Sequence, residues 1–291
     1  MSKIIITGSS SFLGRNLLKF SPYGHEIFSF YRHNKPVDYG QDIKFVQLDL
    51  LSPNWDLLEK IHADVIIHAA AMASLDECET QPEIAHRINY ESTYRLVKYA
   101  DRIGARFIFI STDVVFDGIK GNYVEDDLPK PLNVYAQTKV EAENFILSQY
   151  KNAVIVRPSI FYGRALNGRP SFTEIMMKNL YAGKQVFLFT DQIRTPLFVK
   201  DLASAIWELI DHQHCGALHI GGPQRLSRWQ IGQILCRVFN FDENLLIPVK
   251  SEEVNLVALR PLDCSLNTNL ASSILKTTFV DCSVGLNLAF R

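Results

Sequence analysis

Lys3-Ile4-Ile5-Ile6-Thr7-Gly8-Ser9-Ser10-Ser11-Phe12-Leu13-Gly14 is the stretch that decides the fold. An apolar run of strand length meets a glycine and three serines, then opens into the helical Arg15-Asn16-Leu17-Leu18. A tight turn after a first strand brings backbone N–H groups and the positive end of a helix against a pyrophosphate. Gly8 would allow the turn and Gly14 the close packing of the helix. The middle glycine of the usual dinucleotide fingerprint is absent, and Ser11 stands there. Its Cβ and hydroxyl either restrict the approach of the phosphates or donate a bond to them. The expected phosphate cradle is Gly8, Ser10, Ser11, Phe12, Leu13 and Gly14.

The same alternation continues outward from this turn. Apolar runs at Lys3–Thr7, Glu26–Phe30, Lys44–Leu48, Asp64–His68, Arg106–Ser111 and Ala153–Val156 read as strands. Leu13–Phe20, Pro53–Ile61, Pro82–Ile103 and Pro131–Gln149 read as the helices between them. This is the pattern of an α/β fold, a Rossmann-type doubly wound parallel sheet, whose ligand crevice lies beyond the carboxyl ends of the strands. Past Arg157 the alternation fades, and Gly163–Pro170 reads as a loop leaving the sheet. Residues 1–160, with about 197–212 returning as a helix, are expected to form the dinucleotide-binding domain. Residues 161–196 and 213–291 are expected to form a smaller C-terminal substrate lobe.

The chain has 291 residues, 47% hydrophobic and 21% charged, close to ordinary globular usage, which excludes a disordered or collagenous protein. Lys and Arg total 30 against 31 Asp and Glu, so no global positive field exists to hold nucleic acid or an acidic membrane. No stretch reaches the ~18 apolar residues of a membrane span, and the first isoleucine run is too short for a signal-peptide core. A cytoplasmic location is expected. The five cysteines, Cys78, Cys215, Cys236, Cys264 and Cys282, are widely spaced with no C-x-x-C pair and read as free thiols. His212 and His214 read as a solvated helix end, and no metal site is expected.

Dinucleotide sites often carry an acid at the end of the second strand, but here the strand finishes Phe30-Tyr31-Arg32-His33. Arg32 suits a 2′-phosphate, so NADP(H) is expected over NAD(H), the alternative being a solvated Arg-His turn. Asp49 and Leu50, ending the third strand, either receive the adenine edge or, through Asp49, cap a helix starting at Ser52-Pro53.

Tyr135-Ala136-Gln137-Thr138-Lys139 places two side chains on one helical face, near enough for an ammonium to lower the phenol pKa. Tyr31 with Lys35 and Tyr94 with Lys98 share the spacing. Context selects Tyr135, which alone follows a strand ending in Ser111-Thr112-Asp113, whose hydroxyls point to the same crevice.

These pieces, in this order, resemble the extended short-chain dehydrogenase/reductases, and specifically the dTDP-4-dehydrorhamnose reductase-like branch. The most specific match is Ser111-Thr112-Asp113-Val114-Val115-Phe116-Asp117-Gly118, similar to the branch signature S-T-D-Y-V-F-D-G. Further matches are His68-Ala69-Ala70-Ala71, Asn89, Tyr135 to Lys139, Arg157 to Gly163, Gln192 to Pro196, and Arg260-Pro261-Leu262-Asp263.

The resemblance implies hydride transfer to the C4 ketone of a nucleotide-linked 4-keto-6-deoxy sugar, with a dTDP-linked substrate, in glycan synthesis. It implies Tyr135 as proton donor, Thr112 as the hydroxyl holding the carbonyl oxygen, and Lys139 on the nicotinamide ribose. Ala69, Ala70 and Ala71 would line the cofactor channel and Arg157 would join the cofactor set, while Asn89 reads as structural. Asp113 would orient the sugar or cap a turn. Arg194 and Arg260 would hold the substrate diphosphate or serve as ion-pair partners. Val114 replaces the signature tyrosine and removes a ring from the substrate side. The branch includes homodimers, although no helix pair here is diagnostic. It also contains a non-catalytic regulatory subunit of methionine adenosyltransferase, which Gln192-Ile193-Arg194-Thr195-Pro196 also resembles. An epimerase or dehydratase is the remaining alternative, disfavoured by the missing acid at Tyr31-Arg32.

Overall fold

The computed structural model describes residues 1–40, 42–51 and 54–291. Seven parallel strands form the central sheet, six of them β1 (Lys3–Thr7), β2 (Glu26–Tyr31), β3 (Ile43–Gln47), β4 (Val65–His68), β5 (Arg106–Ile110) and β6 (Ala153–Pro158). The seventh, Gly216–Ile220, pairs with β6 and completes the order Gly216–Ile220, β6, β5, β4, β1, β2, β3. The expected division of the chain places this strand in the lobe, and the sheet claims it instead. Strand order reverses beside β1, which pairs with β2 on one side and β4 on the other. That reversal opens the crevice at the strand ends.

The strands read as unbroken apolar runs because both faces of the sheet are covered. Ile4 and Ile6 of β1 pack with Leu13, Leu17 and Leu18 of α1 (Phe12–Lys19). Ile5, between them, packs on the opposite face with Leu96, Val97, Ala142 and Ile146. Those residues belong to α5 (Ser92–Ile103) and α6 (Val134–Gln149). The period of two along each strand thus feeds two separate cores. Helix Val199–Leu209 does return to the sheet domain, where Trp207 donates from Nε1 to the Leu17 carbonyl at 3.0 Å.

Three local departures from the sequence expectation bear on the site. The short helix expected to begin at Pro53 is α2 (Asp56–Glu59), while Ser52 and Pro53 lie outside the described residues. A helix absent from the sequence reading, α3 (Leu75–Thr80), follows the alanine run. The single helix expected from Pro82 is α4 (Pro82–His86), a π-helical turn at Arg87–Glu91, and then α5, which ends on left-handed Gly104. Beyond β6, helices Phe172–Tyr181, Arg228–Phe239, Asn269–Ile274 and Cys282–Phe290 build the second layer with short strand pairs. Among the described residues, no helix is long and apolar enough to cross a membrane.

Candidate active site

Gly8 has φ +69°, and a Cβ there would lie 2.6 Å from the Ala70 backbone. A Cβ on Gly14 would lie 2.3 Å from the Gly8 carbonyl oxygen. Both positions therefore exclude a side chain, for left-handed backbone and close approach respectively. Ser11 caps α1, its Oγ accepting from the Gly14 N–H at 3.0 Å. The substitution at the middle of the turn thus serves the helix start. The alanine run sits directly opposite, where the Ala70 N–H donates to Thr7 Oγ1 at 3.3 Å.

The turn forms one end of a crevice of about 1330 Å³, larger than the ~300–1,000 Å³ of an ordinary small-molecule site. That space suits a dinucleotide together with a second ligand. Gly8, Ser10, Ser11, Phe12, Leu13, Arg32, Asp49, Leu50 and Ala69–Ala71 all line it. Arg32 Nε and Asp49 Oδ2 pair at 3.2 Å across the mouth, both partly exposed. Asp49 Oδ1 accepts from the Leu51 N–H at 3.0 Å, a local turn rather than a cap on α2.

The crevice floor is built at the end of β5. Thr112 caps a short 3-10 turn, Asp113–Val115, accepting from the Val114 N–H at 3.3 Å and donating to Asp113 Oδ1 at 3.3 Å. Tyr135 lies one residue into α6, whose N-cap Asn133 accepts from the Ala136 N–H at 2.9 Å. Burial holds its phenol pKa well above the usual value, against the opposing pull of the Thr112 hydroxyl. Val114 and Cys78 pack against the Tyr135 ring. Asp113 is buried, and burial raises its carboxyl above the usual range against the pull of Arg194, Ser159 and Arg228.

Lys139 departs from expectation. It is 1% exposed, lies beneath the crevice rather than lining it, and places Nζ 3.9 Å from the centre of the Phe109 ring. Burial lowers its pKa to about 7, with Glu143 opposing the shift. The expectation that its charge lowers the Tyr135 pKa is not met, because desolvation of each group outweighs one lysine a helical turn away. His68, at the end of β4, is buried behind the crevice wall, bonds Thr7 and Thr93 and is lowered to about 3 by burial, so it stays neutral.

Two arginines expected at ligands are committed elsewhere. Arg157 does not line the crevice; it pairs with Glu143 at 2.7 Å, both fully buried, and also contacts His219. Glu143 in turn accepts from the Ser111 hydroxyl. Arg194 lines the crevice but gives its guanidinium to the carbonyls of Ile193, Pro261 and Leu262 and to Asp113 at 3.4 Å. Its position holds the C-terminal strap in place. Arg260 also lines the crevice, with Nη2 on Asp76 at 2.8 Å and Nη1 buried without a hydrogen-bond partner among the described residues.

Sequence reasoning misses Arg228. It lines the crevice over the Phe172 ring at 4.7 Å, and burial together with Arg194 and Arg260 lowers its pKa to about 9. The capping box Ser227/Gln230 marks the helix start, but nothing in the sequence aims the next residue inward. Three arginines thus converge, partly opposed by Asp113 and Asp76, an arrangement suited to an anion. Asn89, read as structural, clamps the Met72 N–H and carbonyl and Thr138 of α6. Four cysteines are buried free thiols and Cys215 is exposed, and among the described residues no cluster could hold a metal.

The family model described as the RmlD substrate binding domain matches residues 2–286. Methionine adenosyltransferase 2 subunit beta of Rattus norvegicus is 31% identical over 277 residues, covering 90% of this chain and 80% of that protein. The crystal structure of a hypothetical dTDP-4-dehydrorhamnose reductase from Sulfolobus tokodaii is similar with a TM-score of 0.85 and 34% identity, over 97% of this chain and 98% of that one. The dTDP-4-dehydrorhamnose reductase of Bacillus anthracis in complex with NADP gives a TM-score of 0.86 at 25% identity, over 99% and 98%. A sheet order with its glycine turn at the reversal, a hydroxyl pair on the crevice floor and a match over nearly the whole length agree: the chain belongs to the RmlD-like branch of the extended short-chain dehydrogenase/reductases.

Proposed function

We propose that this protein is an NADPH-dependent reductase of a nucleotide-linked 4-keto-6-deoxy sugar, with a dTDP-linked substrate, working in cytoplasmic glycan precursor synthesis. The observation that carries the reading is the Thr112–Tyr135 hydroxyl pair on the floor of a crevice with a phosphate cradle at one end and arginines in its opposite wall. When bound, the reduced nicotinamide supplies the hydride that adds to C4. Thr112 donates to the ketone oxygen, and Tyr135 transfers its proton to that oxygen as it becomes an alkoxide. The products are the C4 alcohol and NADP+.

Burial keeps the Tyr135 phenol protonated, the state in which it can give its proton to the developing alkoxide. Lys139 would meet the nicotinamide ribose hydroxyls by moving its ammonium from the Phe109 ring into the crevice, where they would restore hydrogen bonds to its charged form. Arg32 would take the 2′-phosphate, Asp49 and Leu50 the adenine edge, and Arg260 with Arg228 the sugar-nucleotide diphosphate. The sheet domain would hold the dinucleotide, and the lobe from 161–196 and beyond 220 the sugar nucleotide.

The test is NADPH oxidation with dTDP-4-keto-6-deoxy-L-mannose, comparing wild type with Tyr135→Phe. Loss of the acid should lower kcat by about 10²- to 10⁴-fold, with NADPH affinity retained. Equal turnover by the variant would contradict the assignment of Tyr135. The likeness to methionine adenosyltransferase 2 subunit beta supports a second reading, a non-catalytic NADP-binding regulator. NADPH binding without turnover of any ketosugar, together with a stable complex with a methionine adenosyltransferase, would favour it.

A further inference from the structure

Helix α3 adds no strand and little core, yet it ties the two walls of the crevice together. Asp76 Oδ2 accepts from Arg260 Nη2 at 2.8 Å, and Oδ1 accepts from the Ala258 N–H at 3.1 Å. Three residues on, Glu79 Oε2 accepts from the N–H of Val134, the first residue of α6, at 3.1 Å. The strap carrying Arg260 is clamped further by Asn133, which donates to the Leu259 carbonyl at 2.9 Å, and by Arg194 on the Pro261 and Leu262 carbonyls. Arg260 is therefore held along its backbone and by one terminal nitrogen. The other, Nη1, is buried and lacks a partner among the described residues. A buried N–H left unpaired is costly, and a ligand oxygen relieves that cost.

We propose that Asp76 is a positioning residue that fixes the Arg260 guanidinium so that Nη1 meets a diphosphate oxygen of the substrate. The inference rests on the reading of Arg260 given under the proposed function. The side chains are 45% and 20% exposed, so direct Coulombic attraction between them is weak and the effect is one of orientation.

Asp76→Asn separates orientation from charge. The amide oxygen can still accept from the Ala258 N–H, but the amide nitrogen then faces Arg260 Nη2, donor against donor. The guanidinium turns away, and the crevice wall loses one negative charge. Charge alone would tighten an anion, whereas lost orientation weakens it, so the sign of the change decides.

The experiment is calorimetric titration of dTDP into the full chain as wild type, Asp76→Asn, Arg260→Ala and the double variant, with Tm and NADPH affinity measured alongside. Asp76→Asn should weaken dTDP about fivefold, the scale of a partly exposed ion pair. It should raise KM for the ketosugar more than it lowers kcat, leave NADPH affinity unchanged, and add nothing in the Arg260→Ala background. Unchanged or tighter dTDP binding by Asp76→Asn, with binding lost in Arg260→Ala, overturns the role of Asp76 alone. A full additional loss in the double variant overturns it as well. No effect of Arg260→Ala overturns the diphosphate reading and this proposal with it.

Discussion

Replacing Lys139 with methionine should stabilise the protein at neutral and acidic pH and flatten its response to alkali. The ammonium is buried over the Phe109 ring, and its pKa falls from 10.5 to about 7. The unfolded chain keeps this proton up to about pH 10.5, while the folded chain releases it above about pH 7. Between those values the unfolded state binds more protons, so stability rises with pH. At about 1.4 kcal/mol per pH unit, holding the charge in the fold costs about 5 kcal/mol below pH 7. Methionine is close in length and carries no charge, and Glu143 keeps Arg157 as its partner in the variant. The assay is urea denaturation of both proteins from about pH 6 to about pH 9, reading their difference so that other titrating groups cancel. The variant should be the more stable by several kcal/mol at the acid end. The gap should close by about 1 kcal/mol per pH unit above pH 7. A gap that stays constant, or a variant less stable at about pH 6, would refute the buried-charge reasoning.

Arg157→Met leaves the Glu143 carboxylate buried without its partner and should cost about 3–5 kcal/mol in denaturation midpoint analysis, largely recovered by adding Glu143→Leu. A loss of NADPH affinity in the folded Arg157 variant, without a loss of stability, would return this residue to the cofactor. Arg32→Ala should weaken NADPH about tenfold and NADH hardly at all, as read by fluorescence titration. Equal losses for both would separate Arg32 from the 2′-phosphate. Its half-exposed pairing with Asp49 makes a stability change small.

The backbone frame was legible because periodicity and turn chemistry are local. The run Ile4-Ile5-Ile6 serves both faces of the sheet, and Gly8 and Gly14 lie where a Cβ has no room. The strand Gly216–Ile220 escaped because it is short and follows a helix that returns from the lobe side, so only tertiary pairing with β6 identifies it. Helix α3 escaped because its work is polar, with Asp76 and Glu79 bridging other elements and Cys78 as its buried residue. Direction was the harder property. Every residue of β6 is buried, so apolar patterning gives no inward and outward face, and Arg157 turns to Glu143 rather than to the crevice. Spacing placed Tyr135 and Lys139 on one face correctly. The sign of the phenol shift depends on burial, which a spacing of four residues does not report.

The central claim is hydride delivery to a sugar carbonyl at the Thr112–Tyr135 floor. Its most direct measurement uses NADPH deuterated at the transferable C4 position with dTDP-4-keto-6-deoxy-L-mannose, followed by mass and proton spectra of the product sugar. Deuterium at sugar C4, formed by wild type and absent with Tyr135→Phe over the same time, is the predicted result. NADPH bound with no label transferred to any nucleotide-linked ketosugar would contradict the claim and leave a dinucleotide-binding regulator in its place.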